Sequence, residues 1–218
     1  MTTTTHELHP VGGHADHGAH HEIEIPFTVH ARPDTGLYNG KLGIWLFLAS
    51  EVMLFGALFS TLVLLRTSAP VWPRGADILN VPLATLNTLI LIFSSVTVVM
   101  AWANLRLGNL KKGKIFLGLT LLCGMGFLVI KAIEYGTKFS HHQYPSTNNF
   151  FATYYVMTGL HGLHVVGGMV VFVYLLLTAN KWYGEHRDQF TNRVEVTGLY
   201  WHFVDLVWIF LFPILYLL

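Results

Sequence analysis

The run LGIWLFLASEVMLFGALFSTLVLL, residues 42–65, carries one ionisable side chain, Glu51. At the α-helical rise it extends about 36 Å, enough to cross a hydrocarbon core roughly 30 Å thick. It is too long for a strand and lacks the apolar/polar alternation of an outer-membrane barrel. Four comparable stretches follow at 81–103, 115–135, 150–179 and 194–218. The predicted fold class is all-α, an integral membrane bundle of five transmembrane helices occupying residues 41–218. Nothing apolar precedes residue 42, so the first span is expected to act as its own insertion signal.

Composition leads to the same class. Hydrophobic residues make up 53% of the 218 and charged residues 11%, with a mean hydropathy of +0.50. A soluble domain needs about 25% charged residues to cover its surface, so this chain is not built to face water on all sides. Its 14% aromatic content is too much apolar surface for a disordered chain. A net charge of +1 provides no basic field for nucleic acid. The single cysteine, Cys123, excludes an internal disulfide framework and a thiolate metal cluster.

Lys and Arg orient the bundle. Arg32, Lys41, Arg106, Lys111, Lys112, Lys114, Lys181, Arg187 and Arg193 fall on one side, and Arg66, Arg74 and Lys138 on the other. Nine against three predicts a cytoplasmic N-terminus and a C-terminus outside. Residues 1–40 are of a different kind, with His6, His9, His14, His17, His20, His21 and His30 among Thr, Gly and Pro. They lack helical periodicity and are expected to form an irregular tail that docks on a neighbour. Metal scavenging is the competing reading.

Ionisable groups in the hydrocarbon region are costly unless paired, so each is a candidate for function. Glu51 lies roughly 15 Å into its span, near the midplane, and Asp205 sits at a similar depth. Lys131 and Glu134 are three residues apart on one face and are expected to pair. His161 and His164, in GLHGLHVVGG, share a face, as do His202 and Asp205, in YWHFVDLVW. His202 is placed either to bond Asp205 or to meet a neighbouring helix. Haem or metal ligation, proton transfer and helix packing compete as explanations. Gly159, Gly162, Gly167 and Gly168 point to close helix approach and so favour packing. The aromatics Tyr200, Trp201, Phe203, Trp208 and Phe210 read as packing rather than a quinone pocket. No phosphate loop, activated nucleophile or catalytic carboxylate pair appears, and no metal site is expected.

Five segments together carry a resemblance: LFLASEVMLFGALF (46–59), LNTLILIFSS (86–95), KAIEY (131–135), TGLHGLHVVGG (158–168) and YWHFVDLVWIFLF (200–212). In these the chain resembles subunit III of the haem–copper oxidases, the cytochrome c and quinol oxidase family. The likeness runs from Gly43 to the end and leaves the His-rich tail outside. Well-known members have seven helices, with a lipid-filled cleft after the first two. This chain is similar to the five-helix bacterial form, in which partner helices would complete the cleft. Lys131 is a second departure, standing where the family commonly has glutamine.

The resemblance implies a non-catalytic subunit, with haem and copper held by partner subunits and none in this chain. It implies packing on subunit I, with subunit II in the same complex. The implied role is to support oxygen reduction and proton uptake, to stabilise the centre and to retain phospholipid in a prokaryotic plasma membrane. Glu51, His202 and Asp205 match the family's intramembrane polar positions and are expected at the lipid cleft. His161, His164, Lys131 and Glu134 are expected in helix packing. The electron donor, the haem types of subunit I and supercomplex membership leave no mark in this chain. The alternative is a redox protein ligating haem through His161, His164 or His202. A proton-coupled carrier using Glu51 and Asp205 is disfavoured by the odd span count and the absence of repeats.

Overall fold

The computed structural model describes residues 38–218, the Glu185 side chain excepted, so the His-rich tail lies outside the described residues up to position 37. The helices are α1 (Asn39–Ser68), α2 (Gly75–Ile78), α3 (Val81–Arg106), α4 (Leu110–Ser140), α5 (Asn149–Glu185) and α6 (Arg187–Phe212). A π-helical turn, Pro213–Leu217, follows α6. Five of the six helices are long and apolar enough to cross a membrane, and no strand occurs among the described residues.

The helices overrun the apolar windows at both ends because backbone hydrogen bonding does not stop at the bilayer edge. Thus α4 begins at Leu110, before Lys111 and Lys112, and ends at Ser140, beyond Lys138. The last predicted span is not one regular helix. Pro213 has no N–H to continue the α-helical ladder, and the chain finishes in the wider turn, with Leu218 N bonding Pro213 O at 3.1 Å. Helix starts are conventional. The Asn80 side chain accepts from Leu83 N, and Asn148 accepts from Phe151 N.

Helices α3, α4, α5 and α6 close into a ring in which α3 packs on α4 and α6, and α5 packs on α4 and α6. The buried positions of α4 show why: Gly113, Leu117, Thr120, Gly124, Phe127, Lys131, Glu134 and Lys138 recur at three- and four-residue spacing along one face. Helix α6 is buried on most sides, with Trp201, Val204, Trp208 and Leu211 at its core. Helix α1 lies outside the ring, against α6 and, less extensively, α5. Its buried residues are Leu48, Phe55 and Leu62, seven apart, so a single narrow seam touches the bundle. Trp45, Met53 and Leu64 remain on its open side.

Hydroxyls on α3 receive the two large indoles of α6. Trp201 Nε1 donates to Ser94 Oγ at 2.9 Å, and Trp208 Nε1 donates to Thr88 Oγ1 at 3.0 Å. These bonds run antiparallel along the two helices and fix their register. Thr97 and Thr120 join α3 to α4 at 2.8 Å.

The glycines of TGLHGLHVVGG do not act together as the sequence suggested. A Cβ on Gly168 would lie 2.8 Å from Trp201 Cε3, so α5 and α6 meet there as closely as backbone allows. Gly167 makes ordinary contact with Tyr200, while Gly159 and Gly162 face open space. Four glycines within ten residues cannot all face one neighbour, because a helix turns about 100° per residue. The expectation of close approach therefore holds at Gly168 and fails at Gly159 and Gly162. Gly168→Ala is expected to destabilise by about 1–3 kcal/mol through overpacking, and Gly162→Ala to be neutral or slightly stabilising through helix propensity. Heat-induced unfolding of the two variants in detergent checks the contrast.

Candidate functional site

The end of the bundle carrying Lys41, Arg106 and Arg187 is tied by polar contacts. Lys41 Nζ pairs with Glu195 Oε1 at 2.6 Å. Tyr38 OH donates to Asn192 O at 3.1 Å; burial, together with the Glu195 charge, pushes its phenol up to about 12, so it stays a neutral donor. Arg187 Nη2 caps Arg106 O at 2.6 Å, and Tyr183 OH caps Leu105 O at 2.9 Å. The last carbonyls of α3 are thus satisfied by α5 and α6.

Near the opposite end, Lys131 and Glu134 form a buried pair with Nζ–Oε2 at 2.8 Å. The pair is not isolated. Tyr154 OH donates to Glu134 Oε1 at 2.9 Å, Tyr216 OH reaches the same oxygen at 2.8 Å, and Lys131 also bonds Tyr216 OH. The ammonium lies 4.6 Å from the centre of the Trp208 ring and 5.0 Å from that of Tyr216. Tyr154 and Tyr216 are fully buried. This quartet joins α4, α5 and the C-terminal turn. Sequence reasoning does not find the two tyrosines; they stand 20 and 82 residues from Glu134, and only the fold brings them in.

At mid-bundle Glu51 on α1 meets His164 on α5, with Oε2–Nε2 at 2.9 Å. His164 Nδ1 lies 2.8 Å from Leu160 O, which can only accept, so Nδ1 carries the proton. One further proton is then shared between Nε2 and the carboxyl. In either position the pair is neutral overall, as burial in an apolar seam requires. Tyr200 OH donates to His164 O at 3.0 Å and closes the junction with α6. The sequence places Glu51 and His164 in separate roles, and the fold makes them partners.

His202 does not bond Asp205. Its Nδ1 meets Ser95 Oγ on α3 at 2.5 Å, the neighbouring-helix alternative. Asp205 is 4% exposed, and neither of its oxygens has a partner among the described residues. His161 is fully buried, stacked on Trp208 at 5.1 Å between ring centres and edge-on to Phe127 at 5.5 Å. The three intramembrane histidines therefore sit apart: His161 inside the ring, His164 on the α1–α5 seam and His202 on the α3–α6 seam. Among the described residues no group of three or more His, Cys, Asp or Glu side chains converges as a metal site. Among the described residues, the Glu51–His164 and His202–Ser95 contacts each join two helices.

The family model described as Cytochrome c oxidase subunit III matches residues 28–218. The chain belongs to this family. A cytochrome c oxidase subunit 3 from Alkalihalophilus pseudofirmus is 34% identical over 194 residues, covering 86% of this chain and 92% of the relative. A quinol oxidase subunit 3 from Bacillus subtilis is 34% identical over 207 residues, covering 94% and 97%. A cytochrome bo(3) ubiquinol oxidase subunit 3 from Pseudomonas aeruginosa is 32% identical, covering 87% and 88%. Family membership thus spans cytochrome c and quinol oxidases. The match to the subunit III family also begins earlier than the motif-bearing segments, at residue 28, and so includes His30, Arg32 and Lys41. As a subunit III, the chain is a multi-pass membrane component of a multi-subunit oxidase.

Removing one member of the buried pair leaves the other charge uncompensated. Lys131→Met is expected to cost about 3–5 kcal/mol, while Lys131→Met with Glu134→Gln recovers most of that loss, because the glutamine amide keeps an acceptor for the tyrosines. Unfolding midpoints of the single and double variants in detergent provide the comparison.

Proposed function

We propose that this subunit III is a cofactor-free supporting subunit of an aerobic terminal oxidase. It packs on subunit I, with subunit II in the same complex, and sustains proton uptake, the stability of the oxygen-reducing centre and lipid retention. The observation that carries this reading is the disposition of the intramembrane polar groups. Glu51–His164, His202–Ser95 and Lys131–Glu134–Tyr154–Tyr216 each join two or more elements, and none presents a converging ligand set. Haem and copper belong, in this reading, to the partner subunits. The basic end of the bundle faces the cytoplasm, in line with the charge asymmetry of the loops. Bacterial relatives support a prokaryotic inner membrane.

The lipid-facing role anticipated for Glu51, His202 and Asp205 divides along burial. Glu51 and His202 are half-buried, whereas Asp205 is buried. The open side of α1 offers apolar surface to lipid or to a neighbouring helix.

An absorption spectrum of the tagged chain, purified once in mild and once in harsh detergent, tests the proposal. Haem absorbance and larger subunits are expected only in the mild preparation. A haem spectrum retained by the stripped chain would establish the ligand reading of His161, His164 or His202 instead. Glu51→Gln should leave the haem content of the complex unchanged and cost little stability, since Gln can still bond His164. Glu51→Leu, which leaves Nε2 without a partner, should cost about 1–3 kcal/mol by thermal unfolding.

A further inference from the structure

Four side chains carry only buried polar atoms with no hydrogen-bond partner among the described residues. Trp102 is near the end of α3, with the Arg106 guanidinium over its ring; the other three are Asn87, His161 and Asp205. Asn87 and His161 are 0% exposed. Each lies on a different helix of the ring: α3, α5 and α6.

The contacts place them in neighbouring layers. Trp208 Nε1 bonds Thr88, the residue after Asn87, and the Trp208 ring stacks on His161. Phe127 of α4 touches both rings, at 5.0 Å from Trp208 and 5.5 Å from His161. Phe127, His161 and Trp208 therefore form one layer of the ring, and Asn87, next to Thr88 in α3, stands at the same level. The aromatic faces are in contact, but the ring edge of His161 and the amide of Asn87 are not claimed. Trp208 cannot serve them, because its only N–H is held by Thr88. Asp205 lies one turn from Trp208 along α6, beside the Ser95 hydroxyl, which is the one protein donor near its carboxyl and also meets His202 Nδ1.

One further donor points to this layer. Lys131 has three N–H bonds, and Glu134 and Tyr216 take two of them. Its ammonium lies over the Trp208 ring, the same ring that His161 stacks on.

Buried amides, imidazoles and carboxyls in native proteins are almost always hydrogen-bonded, and lipid offers nothing to bond. The protein groups in this layer do not reach one another. A small molecule with both donors and acceptors satisfies all of them, and water is the one of that size always at hand.

We infer that the interior of the α3–α6 ring binds ordered water, held by Asn87 and His161 in one layer and by Asp205 in the next. The first water bridges Asn87 and His161 and takes the third N–H of Lys131. The second bonds the Asp205 carboxyl. The buried ion pair near one end is thereby linked through water toward the midplane. This site is separate from the Glu51–His164 seam, and it does not depend on the oxidase-subunit reading.

X-ray radiolytic labelling of the assembled complex in ¹⁸O water tests the inference, because bound water generates hydroxyl radicals in place and labels adjacent side chains whatever their exposure. Phe127 is expected to gain ¹⁸O about fivefold or more faster than Phe172, and Trp208 faster than Trp201 by a similar factor, the second ring of each pair being an equally buried dry control of the same chemistry. Rates for Phe127 and Trp208 no higher than for their controls would overturn it. The double variant Asn87→Leu/His161→Phe is expected to bring both rates down to the controls, and undiminished labelling would also refute the assignment. If that variant does not fold, the comparison within the unsubstituted protein decides alone. Haem content, read separately, reports on the oxidase assembly.

Discussion

The structure rests on one requirement: within the span of a bilayer, a buried polar group must find its hydrogen-bond partner within the bundle, because lipid supplies none. Helices settle the backbone, and side chains must do the rest. The two α6 indoles settle theirs on α3. Trp201 on Ser94 and Trp208 on Thr88 fix how far α6 is advanced along α3, and the rest of the ring is built on that register. Sliding one helix past the other by a turn would break both bonds and strand two N–H groups in an apolar interior. Gly168 belongs to the same arrangement, since Trp201 lies against the α5 backbone at the point where no side chain intervenes.

Polar contacts of this kind trade strength for specificity. Apolar packing in lipid gains little from leaving the solvent, because lipid is as apolar as leucine. Partners that can be satisfied in one geometry are therefore what distinguishes the native arrangement from its neighbours. The quartet of Lys131, Glu134, Tyr154 and Tyr216 does this for the C-terminal turn, and Glu51–His164 does it for α1. Both sets balance charge internally, which lets them exist at depth without solvent.

Much of this was legible in the chain. Five spans follow from apolar length, and the Lys131–Glu134 spacing puts both groups on one face of a helix. The motif residues pointed to the family. What the sequence could not show was partnership across helices. Glu51 and His164 are 113 residues apart, and nothing local couples them. Tyr216 looks like an interfacial aromatic until Pro213 ends the regular helix and turns it inward to Glu134. Asn87 sits in an apolar run whose neighbours gave no sign that its amide would be enclosed. The glycines misled for a related reason: a run of small residues shows that contact is possible, while helical phase decides which of them makes it.

The placement of α1 bears on how the protein is made. Its packing partners are α5 and α6, the last two long helices to leave the ribosome, so the first helix enters the membrane well before the surfaces it will rest on exist. Until then Glu51 waits without His164, its partner in the finished fold. Assembly therefore cannot proceed strictly in the order of synthesis. The ring must first come together from the later helices, and the earliest segment is recruited to it at the end. A truncation that removed α6 would also take away most of the surface on which the first helix rests.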